Sequence, residues 1–554
     1  MADATARFAW TLVDELARHG VTDAVLAPGS RSTPVALALA ASDRIRLHVR
    51  IDERSAAYLA LGIARVSNRV VPVLCTSGTA ASYFLGAVLE ADLSGVPLLV
   101  LTADRPPELR GVGANQTVDQ VGLYGGAVRW SCDVGVPEER PDAGAYWRSL
   151  TSRAVAACLG GAVRPGPVHL NLPLREPLVP DGPVEPAPGR ANDGPWTLPT
   201  SLPATPPDRL AGLLQPVRRG VLVAGDGLSP AQADAVADFA ARAGWPLIAE
   251  PHSNARQGAA ALRCADDVLA DADFIAAHRP DGVVVVGRAG LSRTLLGWLR
   301  SVPHVVLDPY GGWWDATRTA EAVVTADPSA LADVDTPAAD AEWLPAWQAA
   351  ATTAATRLDA LLDASPVLSE PRVAREVADA LPNGAALVVG SSMPIRDLDL
   401  VMRPRTGIRI VANRGVSGID GFVSAAQGVA LAHDGPTVAL CGDLSLLHDV
   451  NGLLPGPDRR PDVSYVVINN DGGGIFSVLP QATGVANEVF ERLFGTPHGM
   501  SLARLATAFD VSHTEVTTPR ELRHALAERG GVRLIEVRTD RRQNAELHQQ
   551  LRAG

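Results

Sequence analysis

Short apolar runs alternate with amphipathic helical patterns from one end of the chain to the other. The first helical pattern places Phe8, Leu12, Val13 and Leu16 on one face, and Gly20 ends it. Apolar runs that are bounded by turn residues and separated by helical patterns are typical of βαβ units with parallel sheets. The pattern therefore predicts an α/β protein.

The predicted strands fall into three groups along the chain. The first group consists of Ala24–Leu26, Leu47–Ile51, Val70–Cys75 and Pro97–Thr102. The second consists of Val221–Ala224, Pro246–Ile248, Val283–Val286 and His304–Leu307. The third consists of Ala386–Val389, Ile408–Val411, Thr437–Cys441, Ser464–Ile468 and Arg533–Val537. Each group is large enough for one open sheet, and open sheets bind ligands at the carboxyl ends of their strands.

Two segments without strand patterns separate the groups. A Pro-rich stretch from Pro173 to about Pro207 disfavours regular structure, and an Ala/Asp-rich helical pattern runs from Thr336 to Leu362. A chain of 554 residues is also too long for one core. We therefore predict three open, mainly parallel-sheet α/β domains. Their boundaries are a first α/β domain at 1–180, a Pro-rich linker at 181–207, a central α/β domain at 208–335, a linker helix at 336–365 and a last α/β domain at 366–554.

The composition is that of an ordinary globular protein, with 47% hydrophobic and 20% charged residues. A net charge of −12 without a basic run argues against a nucleic-acid partner, so an anionic substrate must meet a local group of arginines. No run of about 18 apolar residues predicts a membrane span, and the N-terminus lacks the pattern of a signal peptide. The five cysteines are scattered without C-x-x-C spacing, which favours a reducing compartment. These features predict a soluble, cytoplasmic protein of the size of an enzyme.

Two polar motifs follow neighbouring strands of the third group. Gly-Asp-Leu comes after the strand Thr437–Cys441, and Asn-Asn-Asp-Gly-Gly-Gly comes after the strand Ser464–Ile468. Since the carboxyl ends of parallel strands meet at one sheet edge, we expect Asp443, Asn470 and Gly472 to lie close together. A carboxylate, an amide oxygen and a backbone carbonyl are oxygen ligands that suit Mg²⁺ shared with phosphates. The glycines would let the backbone approach a diphosphate.

Either motif alone is more commonly a simple turn. The middle of the chain offers a comparison, because Gly225-Asp226-Gly227 also follows a predicted strand but no Asn-Asn pair follows it. We interpret that triplet as an ordinary turn. The occurrence of both motifs after neighbouring apolar strands favours the metal site.

The paired motifs resemble those of thiamine-diphosphate enzymes. The resemblance implies a pyrimidine-binding first domain, a diphosphate- and metal-binding last domain, and the cofactors thiamine diphosphate and Mg²⁺ (or Mn²⁺). It also implies a glutamate that hydrogen-bonds the aminopyrimidine ring; the candidate is Glu53, which opens a predicted helix Glu53–Arg65, whereas Asp52 better suits simple helix capping. Such a carboxyl group needs an apolar setting. Because the two halves of the family's site come from different subunits, a homodimer at least, and by extension a homotetramer, is expected.

Further motifs narrow the resemblance and span nearly the whole chain. They are Ala27–Pro34 (APGSRSTP), Thr76–Ala80 (TSGTA), Thr102–Leu109 (TADRPPEL), Gly113–Gln116 (GANQ), Pro167–Pro177 (PVHLNLPLREP), Asn413–Gly421 (NRGVSGIDG) and Gly442–Asp449 (GDLSLLHD). They are similar to those of the menaquinone-pathway synthase family that joins 2-oxoglutarate to isochorismate. The implied reaction is decarboxylation of 2-oxoglutarate and conjugate addition of the resulting succinic semialdehyde carbanion to isochorismate.

The resemblance also implies roles for individual residues. The implied cofactor-binding residues are Ser30, Glu53, Gly78, Ser391, Ile419, Gly442, Leu444, Ser445, Ile475 and Phe476. The implied substrate-binding residues are Arg31, Arg105, Asn115, Gln116, Arg293, Ser392 and Arg396. The implied catalytic residues are Glu53, Gln116 and Arg396. Both substrates are dicarboxylates, and arginine suits them because its planar fork binds carboxylates bidentately.

The chain departs from the family pattern in places. Thr294 follows Arg293 where the family often has adjacent basic residues, and Arg288 is a candidate substitute. Tyr83 and Gly86 stand where Asn and Pro are common. These changes concern substrate contacts rather than the cofactor.

Two other interpretations compete with this one. One is a different thiamine enzyme, such as an acetohydroxyacid-synthase-like carboligase or a 2-oxoacid decarboxylase, against which the arginine-bearing motifs argue. The other is a non-catalytic nucleotide-binding or regulatory protein on the same scaffold. No G-x-G-x-x-G follows a predicted strand and no Walker motif occurs. The presence of Glu53, Asp443 and Asn470 together favours catalysis. Two histidines in the motifs, His169 and His448, are interpreted as structural.

Overall fold

The computed structural model describes residues 4–161, 163–198, 207–335, 339–457 and 460–552. Parts of two predicted segments lie outside these ranges, namely residues 199–206 of the Pro-rich linker and 336–338 of the linker helix. The domain boundaries given above stay predictions. No helix among the described residues has the length and apolar character needed to cross a membrane.

Three parallel sheets form the framework of the protein. The strands are β1 Asp23–Leu26, β2 Arg46–Val49, β3 Val71–Cys75, β4 Leu98–Asp104, β5 Trp130–Asp133, β6 Val168–Pro173, β7 Gly220–Ala224, β8 Leu247–Ala249, β9 Gly282–Val286, β10 His304–Asp308, β11 Ala322–Thr325, β12 Ala385–Val389, β13 Ile408–Ala412, β14 Thr437–Gly442, β15 Val463–Asn469, β16 Ser512–Glu515 and β17 Val532–Arg538. Neighbouring strands pair in parallel throughout the described sheets. The predicted fold class is confirmed.

Helices connect the strands. They are α1 Ala4–Arg18, α2 Thr33–Ala41, α3 Glu53–Ser67, α4 Leu85–Ser94, α5 Ala143–Leu159, α6 Pro207–Leu214, α7 Pro230–Ala243, α8 Ala265–Ala270, α9 Ala272–Ala277, α10 Arg293–Leu299, α11 Trp343–Asp363, α12 Glu370–Ala380, α13 Met393–Val401, α14 Phe422–Ala432, α15 Asp443–His448, α16 Gln481–Gly484, α17 Asn487–Phe490, α18 Leu502–Ala508, α19 Pro519–Ala527 and α20 Arg541–Arg552. The predicted first helix and the helix that opens at Glu53 are confirmed.

The first and last sheets share one strand order. It is β2-β1-β3-β4-β6-β5 in the first sheet and β13-β12-β14-β15-β17-β16 in the last, while the central sheet has the order β11-β10-β9-β7-β8. In the first and last sheets, the strand order changes direction beside the strand that comes first in the chain, which is β1 in the first sheet and β12 in the last. The crevice at this reversal point therefore lies between β1 and β3 in the first sheet and between β12 and β14 in the last. Open α/β sheets bind ligands outside the carboxyl ends of strands at such reversal points. The motifs singled out in the sequence follow these strands.

Every predicted strand is present, with shifts of one or two residues at the ends, but four strands were missed. β5 and β16 are short edge strands whose sequences, WSCD and SHTE, lack a clear apolar pattern. In β6 the polar residues His169 and Asn171 interrupt the apolar run, although both are buried. β11 has only four residues. Propensity patterns fail here because burial and pairing override them.

The chain forms two compact units, which are residues 1–202 with 413–434 and 447–462, and residues 203–412 with 435–446 and 463–554. In the first unit, successive side chains of β4 serve opposite faces of the sheet. Leu99 and Leu101 belong to one apolar core, and Leu98 and Val100 belong to the other. This alternation is the period of a strand that is buried on both faces.

Helices α3 and α14 of the first unit approach closely because glycines line their contact. A Cβ atom built on Gly62 would lie 2.1 Å from the carbonyl oxygen of Ala425, and one built on Gly428 would lie 2.2 Å from the carbonyl oxygen of Leu59. Both distances are far below van der Waals contact, so neither position accepts a larger residue without movement of the backbone.

Replacing Gly428 with Ala is therefore expected to lower the free energy of unfolding by about 1–3 kcal/mol, which is the usual cost of overpacking. Gly297 of α10 provides the matched control, because a Cβ there meets no atom within 4 Å. Gly297→Ala should gain up to about 1 kcal/mol from helix propensity alone. Urea unfolding of both variants measures the difference. Equal stability of the two variants would contradict the proposed close contact.

Candidate active site

In the first unit, the loops after β1 and β3 meet at the reversal point. Gly29 packs against Thr76, since a Cβ on Gly29 would lie 2.2 Å from the Cβ of Thr76. The backbone N–H of Arg31 donates to Oγ1 of Thr76 over 3.2 Å. Ser30 is exposed at this edge, and Gly78 adopts a left-handed conformation with φ +88°. Two of the motifs thus form one surface at the carboxyl end of the sheet.

A third motif closes onto the same loops. The hydroxyl of Ser77 donates to the carbonyl oxygen of Gln116, and Nε2 of Gln116 donates back to the carbonyl oxygen of Ser77, both over 3.0 Å. The N–H of Gly78 donates to Oε1 of Gln120 over 2.9 Å. The amide group of Gln116 is thereby engaged with the protein, whereas Asn115 is exposed. Gln120 was not singled out in the sequence, because a Gln in a loop carries no distinctive signal.

Glu53 lies at the start of α3, directly after β2. Asp52 caps the helix, since its carboxylate accepts from the N–H of Ser55 over 3.1 Å, so the capping role belongs to Asp52 as expected. Glu53 is half-buried. Burial, and then the nearby carboxylate of Glu53, raise the pKa of the Cys75 thiol at the end of β3. Glu53 therefore lies near Cys75 at the carboxyl end of β3, and the apolar setting expected for its carboxyl group stays a prediction.

Arg31 and Arg105, the two arginines of this unit with an implied substrate-binding role, both follow strand ends but differ in their contacts. Arg31 is buried, and its guanidinium donates to the carbonyl oxygen of Leu174 over 3.0 Å and to Oε1 of Glu176 over 3.2 Å. Arg105 is half-buried, and Nε of both arginines has no hydrogen-bond partner within the described part of the chain. Arg31 is thus held by the protein through its two Nη atoms.

A polar network that the sequence did not reveal lies under this edge. Nδ2 of Asn171 donates to Asp104 and Asp133, both over 2.9 Å, and Oδ1 of Asn171 accepts from Thr102 over 2.9 Å. Nε2 of His169 lies 2.7 Å from the hydroxyl oxygen of Thr102. Burial lowers the pKa of His169 from 6.5 to about 4. A neutral, buried imidazole agrees with the structural role expected for this residue, and the other motif histidine, His448, is exposed.

The depressed pKa of His169 makes stability depend on pH. Between pH 6.5 and 4 the unfolded chain binds a proton on this ring and the folded chain does not, so stability falls as the pH falls. Relative to the His169→Gln variant, the unmodified protein should lose about 3 kcal/mol across this window, at about 1.4 kcal/mol per pKa unit. Urea unfolding of both proteins at several pH values measures this. A pH-independent difference between the two proteins would refute the assignment.

In the second unit, β14 and β15 are adjacent and parallel, with Gly442 opposite Ile468. Asp443 follows β14 and is 1% exposed. Its Oδ2 accepts from the N–H of Gly472 over 3.0 Å and from Nε2 of His498 over 3.2 Å, and its Oδ1 accepts from the N–H of Leu444 over 2.7 Å. Burial raises the pKa of Asp443. The two motifs therefore meet as the sequence predicted, and His498 joins them from a loop that the sequence did not single out.

Asn469 and Asn470 make different contacts. Nδ2 of Asn469 donates to Oε1 of Glu536 over 2.6 Å, and its Oδ1 accepts from the N–H of Asp471 over 3.3 Å, so Asn469 ties the loop to the sheet. Nδ2 of Asn470 donates to Oε1 of Glu370 over 2.8 Å. Oδ1 of Asn470 is buried and has no hydrogen-bond partner among the residues that the structure describes. A buried amide oxygen without a partner is costly unless a ligand fills the position.

The oxygen atoms at these two strand ends are of the kinds that bind a divalent cation. The set combines the Asp443 carboxylate, Oδ1 of Asn470 and the backbone around Gly472, which has φ +135°. A Cβ on Gly472 would lie 1.9 Å from the carbonyl oxygen of Gly495, so only glycine fits there. Across the described chain, no group of three or more His, Cys, Asp or Glu residues could hold a metal. A site with one carboxylate suits Mg²⁺ that draws its remaining ligands from phosphates.

The loop after β12 faces the same reversal point. Ser391 is buried, and Ser392 begins α13 with φ +75°, a conformation that costs energy in a residue other than glycine and that is often found at functional sites. Arg396 is exposed, and its Nη1 donates to the carbonyl oxygen of Ser392 over 2.6 Å. Gly442 ends β14, and Leu444 and Ser445 follow Asp443 in the first turn of α15.

The remaining residues with implied roles lie in other elements of the fold. Ile475 and Phe476 are half-buried in a short 3₁₀ helix, with the Phe476 ring 5.6 Å from that of Phe494. Ile419 is half-buried in the first unit, ahead of α14. Arg293 is exposed at the start of α10.

Arg288, the candidate substitute for the basic residue that is missing beside Arg293, already has partners within the protein. The guanidinium of Arg288 lies 3.3 Å from Asp226 and 5.4 Å from the centre of the Trp314 ring. Its charge is therefore paired within the protein.

Buried acids form a further group that the sequence did not indicate. Burial, followed by the charge of Asp397, raises the pKa of Glu370 to about 7. Asp397 is fully buried, and its Oδ1 lies 2.9 Å from Nε2 of His548. In the first unit, burial raises the pKa of Asp449 to about 6. Glu370 follows Ser369 at a helix start, so its sequence pattern is that of an ordinary N-terminal acid, and only its burial distinguishes it.

Models of three protein domains match the chain. They are described as "Thiamine pyrophosphate enzyme, N-terminal TPP binding domain" at residues 6–123, "Middle domain of thiamine pyrophosphate" at 195–389 and "Thiamine pyrophosphate enzyme, C-terminal TPP binding domain" at 400–537. Benzoylformate decarboxylase from Polynucleobacter necessarius has a similar fold, with a TM-score of 0.70, 19% identity and coverage of 98% of this chain and 99% of its own. The fold and the two reversal-point sites define a thiamine pyrophosphate (thiamine diphosphate) enzyme.

Curated relatives narrow this class. The chain is 54% identical to 2-succinyl-5-enolpyruvyl-6-hydroxy-3-cyclohexene-1-carboxylate synthase from Thermobifida fusca, over 98% of this chain and 97% of the relative. The proteins of the same name from Saccharopolyspora erythraea and Geobacillus kaustophilus are 46% and 41% identical, over 98% and 100% of this chain and 97% and 98% of their own lengths. The chain belongs to the 2-succinyl-5-enolpyruvyl-6-hydroxy-3-cyclohexene-1-carboxylate synthase family.

Proposed function

We propose that this protein decarboxylates 2-oxoglutarate and adds the resulting four-carbon unit to isochorismate, which gives 2-succinyl-5-enolpyruvyl-6-hydroxy-3-cyclohexene-1-carboxylate for menaquinone biosynthesis. The observation that carries the proposal is the buried Oδ1 of Asn470, which has no hydrogen-bond partner among the described residues and lies in the loop whose Gly472 N–H donates to Asp443. It supports a cation site of the kind a diphosphate cofactor needs. The 54% identity with the Thermobifida fusca synthase supports the choice of substrates.

Within this proposal, the Asp443 carboxylate, Oδ1 of Asn470 and the carbonyl oxygen of Gly472 would hold Mg²⁺ or Mn²⁺. Thiamine diphosphate, when bound, supplies the nucleophilic carbon and the electron sink that decarboxylation of a 2-oxo acid requires. Glu53 holds a proton at a ring nitrogen of the aminopyrimidine. The half-buried position of Glu53 supports this role, because a carboxyl group that shares a proton needs partial exclusion of water.

The substrates are dicarboxylates, and the protein carries a net charge of −12. Local cations are therefore assigned to them. Arg396 and Ser392 are proposed to hold a substrate carboxylate, which the exposure of Arg396 supports. Arg105, Asn115 and Gln116 are proposed to contact the substrate as well, as the family resemblance implies.

Roles for Arg31 and Arg293 belong to the same proposal and rest on the family resemblance. For Arg31 the role requires release of the contact with Glu176, whose side chain is 73% exposed.

We also propose a homodimer or homotetramer, because the family resemblance divides each site between two subunits. A cytoplasmic location is supported by the five cysteines, which are all described and all free.

One assay tests the proposed reaction. The protein is incubated with thiamine diphosphate, Mg²⁺, 2-oxoglutarate and isochorismate, and isochorismate consumption and CO₂ release are followed together. We expect both signals only when every component is present. The amount of CO₂ released should then equal the amount of isochorismate consumed. CO₂ release without loss of isochorismate would instead indicate a 2-oxoacid decarboxylase, and the absence of both would overturn the proposal.

A further inference from the structure

The two edges of the Asn470 amide have opposite surroundings. The Nδ2 edge donates to Oε1 of Glu370 over 2.8 Å. The Oδ1 edge is buried and, within the described residues, has no hydrogen-bond partner. An amide has nearly the same shape in both orientations, so packing alone does not select one of them. The selection must come from the hydrogen-bonding character of the neighbours.

Glu370 has the character and the rigidity for this selection. It is 1% exposed at the first residue of α12, and its Oε1 also accepts from the hydroxyl of Thr539 over 3.0 Å. The N–H of Thr539 in turn donates to the carbonyl oxygen of Asn469 over 3.1 Å. The oxygen that faces Asn470 is therefore an acceptor, and its buried position at the start of α12, rather than the Thr539 hydroxyl, places it opposite the amide. If the amide turned over, Oδ1 would face Oε1 of Glu370, and two acceptors would be in contact in a buried site.

We propose that Glu370 is a positioning residue that fixes the Asn470 amide with its oxygen directed to the divalent cation. The inference rests on the proposed function, because it presupposes a cation at Asp443 and Asn470. Groups that orient metal ligands from behind typically change metal affinity 10- to 100-fold when they are removed. Glu370 is separated from the metal motifs by many residues in sequence, and only the fold brings it to Asn470.

The test compares two substitutions at one position. Glu370→Met removes the acceptor but keeps an unbranched side chain of similar length, and Glu370→Gln keeps an acceptor oxygen. Titration calorimetry measures the affinity for Mg²⁺ in the presence of saturating thiamine diphosphate. We expect Glu370→Met to bind Mg²⁺ about 10- to 100-fold more weakly and Glu370→Gln to bind it close to normally. Rescue by Gln distinguishes orientation of the amide from a general loss of packing.

Thr539→Val is the matched control, because it removes the other hydrogen bond to Glu370 and preserves volume. We expect it to leave Mg²⁺ affinity close to that of the unmodified protein. Normal Mg²⁺ affinity in Glu370→Met would overturn the inference, and so would an equal loss in the Met and Gln variants. If the unmodified protein does not bind Mg²⁺ with thiamine diphosphate, the proposed function itself fails, which is a separate result.

A second variant decides the matter if Glu370→Met does not fold. Glu370→Ala also removes the acceptor, and its smaller side chain avoids the overpacking that Met could cause. We expect Glu370→Ala to bind Mg²⁺ about 10- to 100-fold more weakly than the unmodified protein. Unchanged Mg²⁺ affinity in Glu370→Ala would overturn the inference.

Discussion

Glu53→Gln is expected to lower kcat by about 10²–10⁴-fold, which is the usual contribution of a positioned proton-transfer group. Gln has the shape of Glu but cannot share a proton with a ring nitrogen. Since α3 is capped by Asp52 rather than by Glu53, the substitution should leave the helix and the thermal stability intact. Steady-state kinetics of 2-oxoglutarate-dependent isochorismate consumption measure the effect, and calorimetry of thiamine diphosphate separates it from loss of cofactor.

Asp52→Asn provides the control for this prediction. Asn is as good a helix cap as Asp, so the variant keeps the local structure and should retain most of the activity. Near-normal turnover by Glu53→Gln would refute the role of Glu53. An equal loss in both variants would attribute the effect to the start of the helix instead.

Asp443→Ala is expected to weaken Mg²⁺-dependent binding of thiamine diphosphate by at least about 10²-fold, because it removes the single carboxylate of the proposed cation site, and even groups behind metal ligands contribute 10- to 100-fold. It also leaves the N–H groups of Leu444 and Gly472 without their acceptor. Titration calorimetry with and without Mg²⁺ measures the effect. Cofactor binding without the metal should change much less.

The matched control is Asp226→Ala, which alters the Gly-Asp-Gly triplet in the middle of the chain. No Asn-Asn pair follows that triplet, and Asp226 pairs with Arg288 instead. Its replacement should leave cofactor affinity unchanged. If Asp443→Ala bound thiamine diphosphate and Mg²⁺ like the unmodified protein, the cation site would have to be sought elsewhere.

Much of the framework was accessible from sequence because it depends on local patterns. Apolar runs of strand length located every central strand except β6, and motif residues directly after the located strands could be assigned to the carboxyl edge of a sheet. Polar edge strands such as β16 escaped this reasoning, since pairing with a neighbour stabilises them and their own composition does not indicate a strand.

The contacts of individual side chains were harder to predict from the sequence. The sequence proposed Arg31 as a substrate ligand, but the structure engages its guanidinium with Leu174 and Glu176. It could not divide the Asn-Asn pair into a loop anchor and a candidate metal ligand. Both distinctions depend on neighbours that lie far away in the sequence.

By itself, then, the sequence determined the α/β class, the succession of strands and the presence of Asp443, Asn470 and Gly472 at neighbouring strand ends. These follow from hydrophobic periodicity and from the geometry of parallel strands, which are local properties. Only the tertiary structure decided that Oδ1 of Asn470 is the buried oxygen left without a partner in the described chain, and that Glu370 stands behind it. The physical reason is that burial and hydrogen-bond partners are supplied by residues that the chain brings together only when it folds.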